Sequence, residues 1–209
     1  EFRKLQNNKQ KLNLQRVEAI DFLKTIFRSF ENVAAKTNIR YNFISSEQAL
    51  PVYFDTNKVD KIVFNLLSNA FKFTPRGGQI SMEVEADHER HVVRISVADT
   101  GIGIPKEKQD LLFSRFMQIN FSQQGTGIGL HLVSEFTALH RGKVQFRENE
   151  GGGSVFTIEF PLDSGVYQAD EFVNQEVKAG NAESGEVYRI SEFIEDPQQD
   201  TLLDLVPLV

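Results

Sequence analysis

Two neighbouring segments, QISMEVEAD at 79–87 and HVVRISVAD at 91–99, alternate apolar and polar residues along their length. Ile80, Met82, Val84 and Ala86 fall on one face of the first, and Val93, Ile95 and Val97 on one face of the second. A period of two in consecutive segments, joined by a charged hairpin, specifies strands that bury one face and wet the other. The rest of the chain must therefore supply a cover for one side of a sheet, and amphipathic helices are available for it. Val17, Ile20, Leu23, Phe27, Phe30 and Ala34 lie on one arc of a helix expected over 17–36. Val59, Ile62, Val63, Leu66, Leu67 and Ala70 do the same in a helix from 57 or 58 to Phe73, where Pro75 forbids continuation. A short helix over 105–118 with Leu111, Leu112, Phe113 and Phe116, and another over 128–140 closed by Gly142, complete the set. IRYNFI and PVYFD read as further strands, and KVQFREN and SVFTIEFPL as a last hairpin around glycines 151–153. The expected fold is α+β: a two-layer sandwich with a mixed, mostly antiparallel sheet covered on one face by helices.

Charge divides the chain. Residues 163–209 hold eleven Asp and Glu against Lys178 and Arg189, a net −9, which leaves +3 for the remainder and accounts for the overall −6. A weakly basic body without a Lys/Arg cluster suits a polyphosphate ligand and gives no footprint for nucleic acid. The chain has no cysteine, which excludes disulfides and thiolate metal sites and fits a reducing compartment. No stretch approaches the roughly 18 apolar residues of a membrane span, so any membrane link is expected outside these residues, and the cytosol is the default location.

Three short motifs carry the chemistry. In NLLSNAFKFT, at 65–74, Asn65, Asn69 and Lys72 stand at i, i+4 and i+7. This spacing places them within about 60° of one another and off the apolar arc. Amide oxygens suit a hard cation such as Mg²⁺, which keeps waters and rides on phosphates, and a lysine beside them supplies phosphate charge. Taken alone, the stripe is equally a solvated helix face. DTGIGIP at 99–105 puts a carboxylate at a strand end, followed by glycines that admit a flat ring to the backbone; such an oxygen accepts a hydrogen bond from an exocyclic amino group. Turn chemistry explains the same residues. GTGIGL at 125–130 opens a helix and offers uncapped N–H groups to an anion. It is no P-loop, lacking Gly-Lys-Ser/Thr, and Leu130 replaces the last glycine of a dinucleotide fingerprint.

Together, and in this order, the motifs are far more specific than each is singly. Residues 1–162 resemble the catalytic, ATP-binding domain of bacterial sensor histidine kinases, in the superfamily shared with gyrase, Hsp90 and the MutL repair proteins. NLLSNAFKFT resembles its N box, DTGIGI its first glycine box, LFSRF its phenylalanine box and GTGIGL its second glycine box. The resemblance implies ATP as ligand and Mg²⁺ as cofactor. It implies that Asn69 holds the ion with help from Asn65, that Asn65 and Lys72 serve the catalytic step with Lys72 on phosphate, that Phe73 lines the base and that Asp99 selects adenine. Gly101 and Gly103 would shape the base pocket. Gly125, Gly127 and Gly129, with Thr126, Ile128 and Leu130 of the same motif, would hold the phosphates at the end of a lid over 117–126, anchored by Phe113 and Phe116.

The family's phosphorylated histidine, followed by an acidic residue, is not recognisable here; His88, His91, His131 and His140 read as surface or packing residues. Residues 1–15 are expected to end the second helix of the family's dimerisation hairpin, 16–162 to form the ATP-binding domain, and 163–209 to be an acidic linker. The implied partners are a histidine-bearing dimerisation domain, a response-regulator receiver domain and, in the full-length kinase, a second copy. GTGIGLHLVSEFTALHRG together with an acidic linker ending VPLV is similar to hybrid sensor kinases of Bacteroidetes, in which a receiver follows. Two alternatives remain: an ATPase of the gyrase type, and an interaction module with a degenerate nucleotide site. Gyrase-like enzymes use a glutamate at the position of Asn65 to activate water, and an amide cannot take that proton.

Overall fold

The computed structural model describes residues 11–114 and 128–173. In chain order the elements are β1 (Gln15–Glu18), α1 (Ala19–Arg28), α2 (Glu31–Thr37), β2 (Arg40–Ser45), β3 (Pro51–Phe54), α3 (Thr56–Phe73), β4 (Gln79–Asp87) and β5 (Val92–Asp99). They continue with α4 (Lys106–Gln109), α5 (Gly129–Leu139), β6 (Lys143–Glu148), β7 (Ser154–Pro161) and two short 3₁₀ turns, Ser164–Val166 and Ala169–Glu171. The main sheet has the order β2-β4-β5-β7-β6; β2 runs parallel to β4 and every other pair is antiparallel. β1 and β3 form a separate antiparallel ribbon.

The alternation read from the sequence decides the two faces. Ile80, Met82, Val84, Val93, Ile95, Val97, Ile158 and Phe160 are almost fully buried, in one core with Ile20, Leu23, Ile62, Val63, Leu66, Leu67 and Val133 of the helices. On the opposite face the register sets Glu85, Arg94 and Glu159 side by side, and Ser96 against Thr157. Glu159 is buried even there, because the Arg90 guanidinium grips it with two hydrogen bonds of 2.7 and 3.1 Å while Arg94 reaches it from the neighbouring strand. The sandwich is α+β with one helix-covered face, as the pattern required.

Local departures have identifiable causes. The helix expected over 17–36 is two helices. Ser29 turns its hydroxyl back to the carbonyl of Ile26 at 2.6 Å, and Phe30 donates to Phe27 three residues back, so the α ladder stops and restarts at Glu31. Val17 lies on β1, paired with Val52, rather than on a helix. Residues 11–14 do not continue a helix either. Leu12 and Leu14 are buried while Lys11 and Asn13 are exposed, the alternation of extended chain, and the Asn13 N–H donates to Asp55. Residues 1–10, where the rest of that helix was expected, lie outside the described residues. The helix over 105–118 shrinks to a single turn, Lys106–Gln109, within the described part of that stretch. At the end of α5 it is Arg141, with φ 56°, that takes the left-handed conformation, and Gly142 follows by donating its N–H to Thr137.

The first part of the stretch expected to be a linker is docked. Tyr167 and Phe172 pack on Leu12 and Leu14, and Leu14 exchanges backbone hydrogen bonds with Glu171 and Val173.

Candidate functional site

α3 runs along the core and delivers its last turns to a cavity where β5 ends and β7 begins. Asp55 starts it: its carboxylate accepts from the N–H of Lys58, satisfying an orphan donor of the first turn. Near its other end Asn69 and Phe73, with Asp99, Gly103, Ile104, Leu130, Ser154 and Phe156, line an open, largely apolar cavity.

Asp99 owes its position to strand parity. It shares a face with Val93, Ile95 and Val97, so the step that buries those valines and isoleucine also carries a carboxylate to the helix-covered side, where it is 6 % exposed. One of its oxygens, Oδ1, accepts from the N–H of Gly101 at 2.8 Å and of Ser154 at 3.3 Å. Burial pushes its carboxyl above the ordinary range, against the opposing pull of those two donors. Gly101 is needed for close approach: a Cβ there would stand 2.5 Å from the Phe73 carbonyl, the last residue of α3. The two motifs are thus fitted directly onto each other, and Ile102 adds an N–H bond to that same carbonyl.

The polar stripe of α3 is partly inside the cavity and partly on its rim. Asn69 and Phe73 are lining residues, together with Asp99, Gly103 and Leu130. Asn65 sits one turn back, facing the start of α5. Its amide nitrogen donates to the Lys61 carbonyl at 2.7 Å, and its oxygen lies where a Cβ on Gly129 would come within 2.6 Å. Lys72 holds its ammonium 5.4 Å from the centre of the Phe73 ring, and partial burial lowers its pKa. Ile128 is the cap of α5 and makes no side-chain capping bond, while Phe113 packs edge-on against Phe156 with ring centres 6.4 Å apart. Phe116, Gly125, Thr126 and Gly127, and with them the lid over 117–126, lie outside the described residues.

Ile104, Ser154 and Phe156 line the cavity without having been singled out in the sequence. For Ser154 and Phe156 the signal exists only in the register. β5 and β7 pair Ala98 with Val155 and Val97 with Phe156, so Ser154 arrives beside Asp99 across the strand ends. Of the histidines, His140 is fully buried, between the rings of Phe54 and Phe160, and His131 sits 3.2 Å from the Phe113 carbonyl.

This geometry has close counterparts. Residues 54–164 match the family of histidine kinase-, DNA gyrase B- and HSP90-like ATPases. The chain is 33% identical over 181 residues to histidine kinase P4 of Formosa agariphila, covering 83% of this chain and 13% of that protein. With sensor histidine kinase TmoS of Ectopseudomonas mendocina it shares 34% over 174 residues, 78% of this chain and 17% of the relative. Among solved structures, the nucleotide-free catalytic domain of histidine kinase ThkA superposes with a TM-score of 0.66 at 28% identity, covering 72% of this chain and 97% of that one. Full-length ShkA in complex with AMPPNP gives 0.69 at 28% identity, over 77% of this chain and 34% of that one. The chain therefore belongs to the histidine kinase-, gyrase B- and HSP90-like ATPase family. Within it, the chain is an ATP-binding domain of the sensor histidine kinase type, and it spans less than a fifth of the length of those two curated relatives. Among the described residues no helix is long and apolar enough to cross a membrane.

Proposed function

We propose that this chain binds ATP as its magnesium complex and transfers the γ-phosphate to a histidine on a dimerisation domain outside it. The observation that carries the reading is Asp99: a buried carboxylate on the cavity wall with one oxygen held by two backbone N–H groups, which leaves Oδ2 to accept from an exocyclic amino group such as that of adenine. Phe73, Ile104 and Phe156 supply apolar walls for a flat base, and Gly103 lets the backbone approach it. Asn65, Asn69 and Lys72 lead from that base site along α3 toward the start of α5, where Gly129 and Leu130 begin a helix with uncapped N–H groups suited to phosphate.

The donor set fits a hard divalent ion. Among the described residues no group of three His, Asp or Glu could hold a metal, so an ion would depend on neutral oxygens and on the phosphates it accompanies. Asn65 ties its amide nitrogen back to Lys61, which turns its oxygen outward, and Asn69 faces the cavity. Bound there, Mg²⁺ would neutralise charge on the phosphates. Lys72 would bind and orient the phosphate chain; its position against Phe73, at the boundary of base site and rim, suits that role. Asn65 cannot accept a proton from water, so the site is equipped to position a phosphoryl group for a protein acceptor rather than to hydrolyse it. A receiver domain as the next acceptor, and a dimeric full-length inner-membrane sensor of which this chain is part of the cytoplasmic portion, complete the proposal.

The test has two parts. Calorimetry with Mg-ATP should give saturable binding that Asp99→Asn weakens by about 100-fold; no heat at millimolar nucleotide would refute the reading. Mixed with a separately purified dimerisation hairpin, the chain should slowly place acid-labile phosphate on the hairpin and none on itself. Release of inorganic phosphate without labelling would favour the ATPase alternative.

A further inference from the structure

The β5–β7 pairing stops where Ala98 meets Val155, one residue short of Asp99. The Asp99 carbonyl is met instead by a side chain from the turn between β6 and β7: the Asn149 amide donates to it at 2.8 Å, across 50 residues of sequence. The turn is shaped for this contact. Gly153, with φ 100°, passes so close that a Cβ would stand 2.1 Å from the same carbonyl. Asn149 is in turn fixed by its own backbone, whose N–H donates to Gly153 at 3.2 Å and whose carbonyl accepts from Gly152 at 3.0 Å. On the other flank Thr100 exchanges bonds with Gln79 of β4: its N–H donates to the Gln79 carbonyl at 3.0 Å and its hydroxyl accepts from the Gln79 N–H at 2.9 Å. The backbone at Asp99 and Thr100 is thus gripped from both sides, and the carboxylate is left one oxygen to present.

We propose that Asn149 is a positioning residue for base recognition: it fixes the main chain of Asp99 so that the carboxylate meets only a base with a donor at the matching place. The inference rests on the adenine-binding reading of Asp99. A hydrogen bond weakens steeply outside a narrow range of distance and angle, so a strand end free to rock by an ångström would bind adenine less tightly and exclude other purines less well. Only a hydrogen-bond donor can serve at residue 149, because the atom it meets is a carbonyl oxygen.

Asn149→Asp keeps the shape and removes the donor, and Asn149→Ala removes both. Titrate wild type, each variant and Asp99→Asn with adenosine, ATP and guanosine, and record melting temperatures alongside. Both Asn149 variants should weaken adenosine and ATP by the same factor, roughly tenfold for one lost hydrogen bond, and should shrink the preference for adenosine over guanosine. A residue that only shaped the turn would lower the melting temperature and leave that preference where it was. If the preference is unchanged in both variants while Asp99→Asn weakens binding, Asn149 has no such role. If wild type ignores adenosine, or Asp99→Asn binds it normally, the adenine reading itself fails and the positioning role falls with it.

Discussion

The two ends of α3, about 27 Å apart for an 18-residue helix, treat polar groups in opposite ways. At the N-terminal end the partners are internal. The Asp55 carboxylate, 1 % exposed, accepts from Lys58 and from the N–H of Asn13, while its own backbone N–H donates to His140 Nε2 at 3.2 Å. His140 Nδ1 bonds the Phe136 carbonyl, and the Tyr167 hydroxyl donates to the His140 carbonyl. Arg141 closes the cluster, paired with Glu171 and lying over the Tyr167 ring. At the C-terminal end Asn69, Phe73 and Asp99 surround a cavity, and burial raises the Asp99 carboxyl. One end uses its polar groups to hold the chain together; the other turns them toward a cavity, where the proposed function places a ligand.

If this division is right, damage at one end should spare the other. Tyr167→Ala removes a buried ring and the hydroxyl that bonds His140, and should lower stability by about 3 kcal/mol in chemical denaturation. The folded fraction should bind Mg-ATP with unchanged affinity; a weaker site would show that the ends are coupled. Asp99→Asn should do the reverse, weakening ATP by about 100-fold, or about 2.7 kcal/mol. Because burial raises its folded pKa, Asp99 contributes stability below its unfolded pKa that is lost as pH rises through the folded value. At neutral pH the neutral amide should therefore melt no lower than wild type.

Gly129→Ala sharpens the picture of the rim. Its Cβ would crowd the Asn65 oxygen, so ATP binding should drop roughly tenfold with little change in melting temperature, whereas adenosine binding should hold. The smallest effect is in pH. His140 is buried and its pKa is lowered chiefly by desolvation. The unfolded chain then binds a proton that the folded one refuses, and stability falls as pH drops below about 6.5 toward the folded value. His140→Gln should flatten that slope, which cannot exceed about 1.4 kcal/mol per pH unit for one proton. An identical slope in the variant would assign the effect elsewhere.

Much of this was legible in the sequence, and for a physical reason. The parity that buries Ile80, Met82 and Val84 needs only local alternation, and the spacing of Asn65, Asn69 and Lys72 off the apolar arc needs only helix geometry. The errors fell where local pattern competes with a distant partner. Leu12 and Leu14 have no helical or strand identity of their own; they are extended where Tyr167 and Phe172 pack on them and Glu171 and Val173 take the hydrogen bonds of Leu14. The break at Ser29 turned on one hydroxyl choosing a carbonyl, which periodicity does not record.

The sequence by itself determined the one-sided sheet, the helices that cover it and the three motifs, since each depends on residues close along the chain. Tertiary structure decided which atoms meet: that Ser154 and Asn149 reach Asp99, that Gly101 seats on the end of α3, and that Asn65 faces Gly129. Those contacts join segments tens of residues apart, and their distances are set by strand register and close packing, which no local pattern encodes.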